Sequence, residues 1–181
     1  MEAAAAILIL FTSVRWNCLH NQNQIKYIIR EMRSDEYPLL DEFLYNAIYI
    51  PKGVLPPPES IIQKDELQVY VKNFGERQGD LALVAEADGK AVGAVWSRIM
   101  DDYGHIDNET PSLAISLYEQ YRGFGIGTAM MKAMLFLLRK NGYLRTSLAV
   151  QKENYAVKMY KSVGFYVIDE NDEEFIMACN L

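Results

Sequence analysis

Residues 121–128 read Tyr-Arg-Gly-Phe-Gly-Ile-Gly-Thr, and their three alternating glycines stand between a strand-like run and a long apolar helical stretch. Glycine has no Cβ and tolerates positive φ, so the backbone here can turn tightly and approach a ligand closely. The first turn of the following helix adds N–H groups that lack intrahelical acceptors, together with the positive end of the helix dipole. Strand, glycine loop and helix in that order make an anion site suited to a phosphate or pyrophosphate.

Spacing narrows the ligand. A P-loop needs Lys and then Ser or Thr after its last glycine, whereas Gly127 is followed by Thr128 and Ala129. A dinucleotide fingerprint needs G-x-G-x-x-G, but these glycines fall at 123, 125 and 127, and no acidic residue closes a short βαβ unit at the expected distance.

With 181 residues, of which 50% are hydrophobic and 12% aromatic, the chain can bury a sizeable core as one domain. A net charge of −6 argues against a nucleic-acid partner, which needs a basic face. An anionic ligand must then be held by local backbone geometry. Cys18 and Cys179 are far apart and show neither metal-ligand spacing nor a disulfide framework, so no metal is expected and a reducing cytoplasm is the expected setting. Ala3 to Phe11 is an apolar run, yet Glu2 replaces the positive n-region of a signal peptide and no small-x-small cleavage site follows. The run is too short to cross a bilayer, so no membrane association is expected. Residues 1–24 are read as an N-terminal extension and 25–181 as a single domain. A docking helix at a subunit interface, and with it a homodimer, is the alternative role for the extension.

The domain alternates strands and helices. Ile25 to Glu31 is a β-branched-rich run, and Ser34-Asp35-Glu36 supplies an N-cap and acidic first turn for a helix through about Ala47. The prolines of residues 50–58 dictate a semi-rigid loop, after which a helix is expected from Ser60 to just before Gly75. Asp88-Gly89 joins Leu81–Ala87 to Lys90–Met100 as a hairpin. Ser112–Tyr118 alternates as a fourth strand, Ile126–Lys140 is a nearly buried helix with a narrow wet stripe, and Asn141-Gly142 closes it. Leu144–Val150, a helix over 154–163, and a final pair at Phe165–Ile168 and Glu174–Cys179 complete the order. The fold class is α/β (α+β): a mixed, mostly antiparallel central sheet with helices on both faces.

The Arg-x-x-Gly-x-Gly pattern after a strand resembles the acyl-CoA pyrophosphate loop of the GCN5-related N-acetyltransferases (GNAT). Downstream, Asn154-Tyr155-Ala156-Val157-Lys158-Met159-Tyr160, running on to Gly164-Phe165, resembles a second segment of the same family. The resemblance implies the acyl-CoA N-acyltransferase fold, with acetyl-CoA as co-substrate and a small-molecule or peptide amine as acceptor. It also implies that the fourth and fifth strands run parallel and splay apart. Phe124, Gly125, Ile126, Gly127 and Thr128, with Arg122 and Gly123 beside them, would cradle the pyrophosphate. Leu117 and Tyr118 would offer main-chain groups to pantetheine, Asn154 would contact cofactor or substrate, and Tyr160 would protonate the departing thiolate.

The residues themselves leave choices open. Ala156, Met159, Tyr160 and Val163 follow i, i+3, i+4, i+7, which suits a core tyrosine as well as a catalytic one. Asn154 suits a helix N-cap. For the general base, Asp107 and Glu109 are the candidates, with His105 and Asp101-Asp102 nearby, although such a loop also suits plain solvation. Asp35, Glu36, Asp41 and Glu42, with Tyr45, Tyr49 and the proline-rich loop, could form an acidic, aromatic amine pocket or face water. A non-catalytic acyl-CoA-binding sensor or interaction protein is the alternative function.

Overall fold

The computed structural model describes Trp16–Asn17 and residues 25–181. One sheet contains β1 (Trp16–Asn17), β2 (Ile28–Glu31), β3 (Leu81–Ala87), β4 (Lys90–Arg98), β5 (Ser112–Leu117), β6 (Arg145–Gln151), β7 (Tyr166–Glu170) and β8 (Glu174–Asn180). Its spatial order is β1-β2-β3-β4-β5-β6-β8-β7. Among these neighbours only β5 and β6 run parallel. The mixed, mostly antiparallel sheet expected from the sequence is therefore observed. β1 falls in the stretch read as an extension and pairs with β2, while the apolar run Ala3–Phe11 lies outside the described residues.

Among the described residues there are four α-helices: α1 (Leu39–Ala47), α2 (Asp65–Gln68), α3 (Ile126–Lys140) and α4 (Ala156–Ser162). Because successive strand residues point to opposite faces, β3 divides between two cores. Leu83 and Ala85 pack with Ile126, Met130, Met134 and Leu138 of α3, whereas Ala82 and Val84 pack with Leu40, Phe43 and Leu44 of α1.

Two helix expectations are corrected. Ser34–Glu36 is a 3-10 turn and the α-helix starts only after Pro38. Proline has no N–H to continue the bonding, so it serves as the new entry point. The single helix expected from Ser60 breaks into a 3-10 turn at Glu59–Gln63, an extended Lys64 and the four-residue α2, followed by turns. The end of α2 and the turns after it have a tertiary cause. Fully buried Arg98 donates to the carbonyls of Val69, Lys72 and Asn73 at 3.1, 2.7 and 3.1 Å, and it grips Asp80 through Nε and Nη2 at 2.7 and 2.8 Å. Carbonyls turned toward a buried guanidinium no longer serve a continuous helix, and the bidentate carboxylate neutralises the charge. Val71 and Phe74 still reach the core.

Candidate active site

β5 and β6 share a single register pair, Ser112↔Ser147. Below it the junction is tied: Ser147 N–H and Thr146 Oγ1 both donate to Pro111 O, at 3.1 and 2.7 Å. Beyond it the strands diverge. On its other side, β5 is fully laddered with β4, and the Tyr118 N–H donates to Val92 O at 3.0 Å in the same register as Gly93↔Leu117. Antiparallel partners alternate between bonded and non-bonded pairs, so the N–H and C=O of Ile115 and Leu117 point away from β4, into the gap. This corrects the expectation for Tyr118, whose amide is already occupied. Ile115 is the residue that joins Leu117 at the open edge.

The glycine loop crosses the head of this gap. Gly123 and Gly125 hold φ of +83° and +78°, and a Cβ on either would meet nothing within 4 Å. Left-handed backbone and open space in front are the two conditions under which a loop needs glycine yet leaves room for a ligand. Gly125 is the N-cap of α3 without a side-chain cap, and the first helical bond is Ala129 N–H to Gly125 O at 3.0 Å. No acceptor among the described residues takes the N–H groups of residues 123–128. Arg122 is anchored by its Nε, which donates to Leu117 O at 2.9 Å. Its two Nη groups are left toward the cleft it lines.

The cleft has a volume of about 650 Å³, within the roughly 300–1,000 Å³ of small-molecule sites. Gly123, Gly125, Gly127, Thr128, Met159 and Tyr160 bound it on the α3–α4 side, and Tyr45, Tyr49, Ile50 and Lys52 on the α1 side, with Ile115, Ser116 and Leu117 between. It thus runs along the C-terminal part of β5. The Tyr45 hydroxyl donates to Pro57 O at 2.7 Å and pins the proline-rich loop. The Tyr49 hydroxyl donates to Glu153 O at 3.3 Å and joins the two walls.

Tyr160 is 8% exposed, and its hydroxyl has no hydrogen-bond partner among the described residues. Burial, and after it the neighbouring Tyr155, pushes its phenol above the ordinary range, so the group is neutral and carries its proton. Asn154 lines the cleft while its Oδ1 accepts from Ala156 N–H at 2.9 Å, which is the capping geometry at the start of α4. A ligand contact is left to its amide NH₂.

Of the residues singled out from the sequence, Leu117, Arg122, Gly123, Gly125, Gly127, Thr128, Asn154 and Tyr160 share this cleft. Phe124, Ile126 and Tyr118 do not line it. The Ile126 side chain is fully buried in the core, and the Tyr118 hydroxyl donates to Glu42 at 2.6 Å. Burial and then Glu42 push the Tyr118 phenol up to about 12.

Asp107 and Glu109 are not brought to the cleft. They precede the opposite end of β5, five residue steps or about 17 Å of strand from Leu117. Asp107 accepts from Arg145 Nη2 at 2.8 Å and from the Glu109 N–H at 2.9 Å. His105 Nδ1 meets Met100 O at 2.8 Å, and Asp102 accepts from Tyr70 and Ser112 at 2.8 and 2.7 Å. Of the expected amine pocket, Tyr45, Tyr49 and the start of the proline-rich loop line the cleft, whereas Asp35, Glu36, Asp41 and Glu42 do not. Glu36 is held by Arg30 at 2.7 Å, which together with Arg33 N–H lowers its pKa, and Asp35 pairs with Arg33. No Asp, Glu or His lines the cleft among the described residues; its charged walls are Lys52 and Arg122. Sequence reasoning missed Ile115 and Ser116, whose signal was the same strand alternation that located Leu117. It also missed Tyr155 and Met159 as cleft residues.

Comparison with known proteins agrees with the geometry. The Acetyltransferase (GNAT) family profile matches residues 29–165. An N-alpha-acetyltransferase of Sulfurisphaera tokodaii is 29% identical over 114 residues, 54% of this chain and 68% of that protein. An uncharacterized N-acetyltransferase of Bacillus subtilis, YobR, is 35% identical over 82 residues, 45% of this chain but only 30% of its own length. The PaiA N-acetyltransferase of Thermoplasma acidophilum, solved in complex with coenzyme A, superposes with a TM-score of 0.65 at 20% identity over 87% of this chain and 100% of that one. The ribosomal-protein-S18-alanine N-acetyltransferase of Escherichia coli gives 0.59 at 19% identity, over 85% and 93%. These two likenesses establish the fold, and the profile match across most of the domain makes the chain a member of the GNAT acetyltransferase family.

Proposed function

We propose that this chain transfers an acetyl group from acetyl-CoA to a primary amine by direct attack, with Tyr160 as the general acid. The observation that carries this reading is one cleft in which the unclaimed peptide N–H groups of Gly123, Gly125, Gly127 and Thr128 stand with the unpartnered phenol of Tyr160. The residues fit the co-substrate. A cradle of free amides with open space before Gly123 and Gly125 suits a pyrophosphate, with Arg122 Nη groups beside it. The outward-facing N–H and C=O of Ile115 suit the amides of an extended pantetheine arm.

Bound acetyl-CoA supplies an activated thioester, so the protein needs no covalent nucleophile. Its walls hold carbonyl and amine in line, which removes most of the entropic cost of their encounter. The Leu117 N–H, aimed into the gap, donates to the oxygen that gains charge during attack. Tyr160 gives its proton to the departing sulfur and recovers one from solvent; burial keeps that proton in place at neutral pH. A cytoplasmic setting belongs to the same reading, in keeping with the free, buried Cys179.

The test is thiol release from acetyl-CoA by the full chain against a panel of primary amines. Release that depends on added amine and saturates is the expected result. Thermal stabilisation by coenzyme A without release from any amine would instead select the sensor, a reading favoured only by the lack of a carboxylate or imidazole base in the walls.

A further inference from the structure

Of the two cations in the cleft walls, Arg122 is committed: its Nε donates to Leu117 O, and it belongs to the glycine loop with the free amides. Lys52 is not. It lines the cleft from the α1 side, and its ammonium has no hydrogen-bond or ion-pair partner among the described residues. Pro51 fixes the backbone just before it, and the Val54 N–H closes on Pro51 O at 3.1 Å, so Lys52 stands at the tip of a turn. The chain is tied on either side of that turn, by the Tyr49 hydroxyl to Glu153 O and by the Tyr45 hydroxyl to Pro57 O. The unpaired charge is thereby held at the cleft.

The rest of that wall is apolar or aromatic. Ile48 and Ile50 line it, and because the Tyr45 and Tyr49 hydroxyls are spent on carbonyls, those two residues offer their rings. Tyr155 adds a third ring from α4. With no Asp or Glu in the walls, nothing there neutralises Lys52, although acidic residues outnumber Lys and Arg by 24 to 18 in the whole chain. A lone positive charge in a cleft attracts an anion and repels a second cation, and walls of low polarity strengthen both effects. Such a wall is complementary to a molecule with an apolar body and one carboxylate.

We infer that Lys52 selects the acceptor, and that the acceptor is an amine with an apolar or aromatic body and a carboxylate, as in a free aliphatic or aromatic amino acid. This rests on the acetyltransferase reading above and adds to it the class of amine. The carboxylate accepts a charge-assisted hydrogen bond from the Lys52 ammonium, and the body packs on the rings of Tyr45 and Tyr49. A polyamine or a lysine-rich peptide would bring further positive charge to walls that hold only cations, and it is disfavoured. The phosphates of the co-substrate are the other source of anions. They have the free amides of the glycine loop and Arg122, which leaves Lys52 to the acceptor.

The experiment compares phenylalanine with phenylalaninamide as acceptors, for the full chain and for Lys52→Met, Lys52→Arg and Lys52→Glu. Each protein gives a carboxylate-to-amide ratio of kcat/KM, and comparing ratios between proteins cancels the different basicity of the two amines. Lys52→Met should lower the ratio by roughly tenfold, the value of one charge-assisted hydrogen bond. Lys52→Arg should keep most of it, and Lys52→Glu should lower it further. Salt raised from about 0.05 to 0.5 M should erode the parent's ratio and leave that of Lys52→Met in place. Calorimetric titration of the coenzyme A-bound protein with N-acetylphenylalanine and its amide reads the same contact without turnover. The carboxylate should bind roughly tenfold tighter, and only while residue 52 is a cation. Equal ratios in the parent and Lys52→Met overturn this inference and leave acetyl transfer standing. An unchanged ratio with weakened coenzyme A binding in Lys52→Met overturns it as well, and assigns the lysine to the phosphates. Thiol release from no amine at all removes the acetyl-transfer reading and this inference with it.

Discussion

At the N-terminal end of β5, Ser112 donates to Asp102 at 2.7 Å and lies 3.2 Å from the Ser147 hydroxyl, while Tyr70 donates to the other Asp102 oxygen at 2.8 Å. At the C-terminal end of the same strand, the Ser116 and Tyr160 hydroxyls and the amides of residues 123–128 have no acceptor or donor among the described residues. The two ends use the same kinds of group, but one is closed by its own partners and the other is left open. Satisfied buried networks rigidify; unsatisfied ones cost stability and persist where a ligand completes them. Charge follows the same division. At the closed end Asp107 is paired with Arg145, whereas the charged walls of the cleft are Lys52 and Arg122. In this molecule, missing partners mark the site better than concentrated charge does.

The strongest way to break that contrast is Gly125→Glu. It places a negative side chain where the free amides converge, and it forces a left-handed backbone of φ +78° on a residue with a Cβ. Coenzyme A affinity should fall by roughly 10²-fold or more, from loss of the anion site. Calorimetric titration of the folded variant checks this, and unchanged affinity would mean the open amides are not the cradle.

Tyr160→Phe separates openness from chemistry. It keeps the ring, which packs tilted against Phe165 at a centroid distance of 5.8 Å, and removes only the hydroxyl. Coenzyme A binding should persist while turnover slows by roughly 10²-fold, the value of a positioned general acid. The pH dependence sharpens the point. Because burial raises the Tyr160 pKa, the neutral donor survives beyond the ordinary phenol value of about 10, so the rate should show no alkaline fall from loss of this acid below roughly pH 10. A rate–pH profile with an earlier fall that vanishes in Tyr160→Phe would contradict it.

The open end was also the legible end. Alternating glycines, strand alternation over 112–118 and the spacing of Tyr160 are local signals, and local signals survive in one dimension. What sequence reading misplaced depends on distant partners. The helix expected from Ser60 to Gly75 stops after α2 because Arg98, 25 to 29 positions away from Asn73 and Val69, claims the carbonyls there. Asp107 and Glu109 looked suitable as bases because they precede the fourth strand, but preceding a strand places a residue at its far end, not at the mouth of the gap. The acidic residues of 35–42 suit an amine pocket or a solvated face equally in sequence, but in the fold Arg30, Arg33 and Tyr118 hold Glu36, Asp35 and Glu42. Pairing across tens of residues leaves no periodic trace.

Asp107→Asn is the smallest expected effect and the control on the closed end. Its carboxylate is held below the ordinary range first by the Thr110 side chain, then by the Glu109 N–H and by Arg145, all outside the cleft. Turnover and the KM values should stay within about twofold of the parent, because no reacting atom is within reach of a group this far along the strand. Stability should respond instead, and in one direction of pH. A carboxyl whose folded pKa is depressed stabilises the fold above its unfolded value of about 3.9 and loses that contribution as pH falls through the folded value. Asp107→Asn should therefore flatten the acid side of the melting-temperature profile while leaving the amine-dependent rate in place. A large rate loss with an unchanged acid limb would return Asp107 to the catalytic machinery and undo the contrast between the two ends of β5.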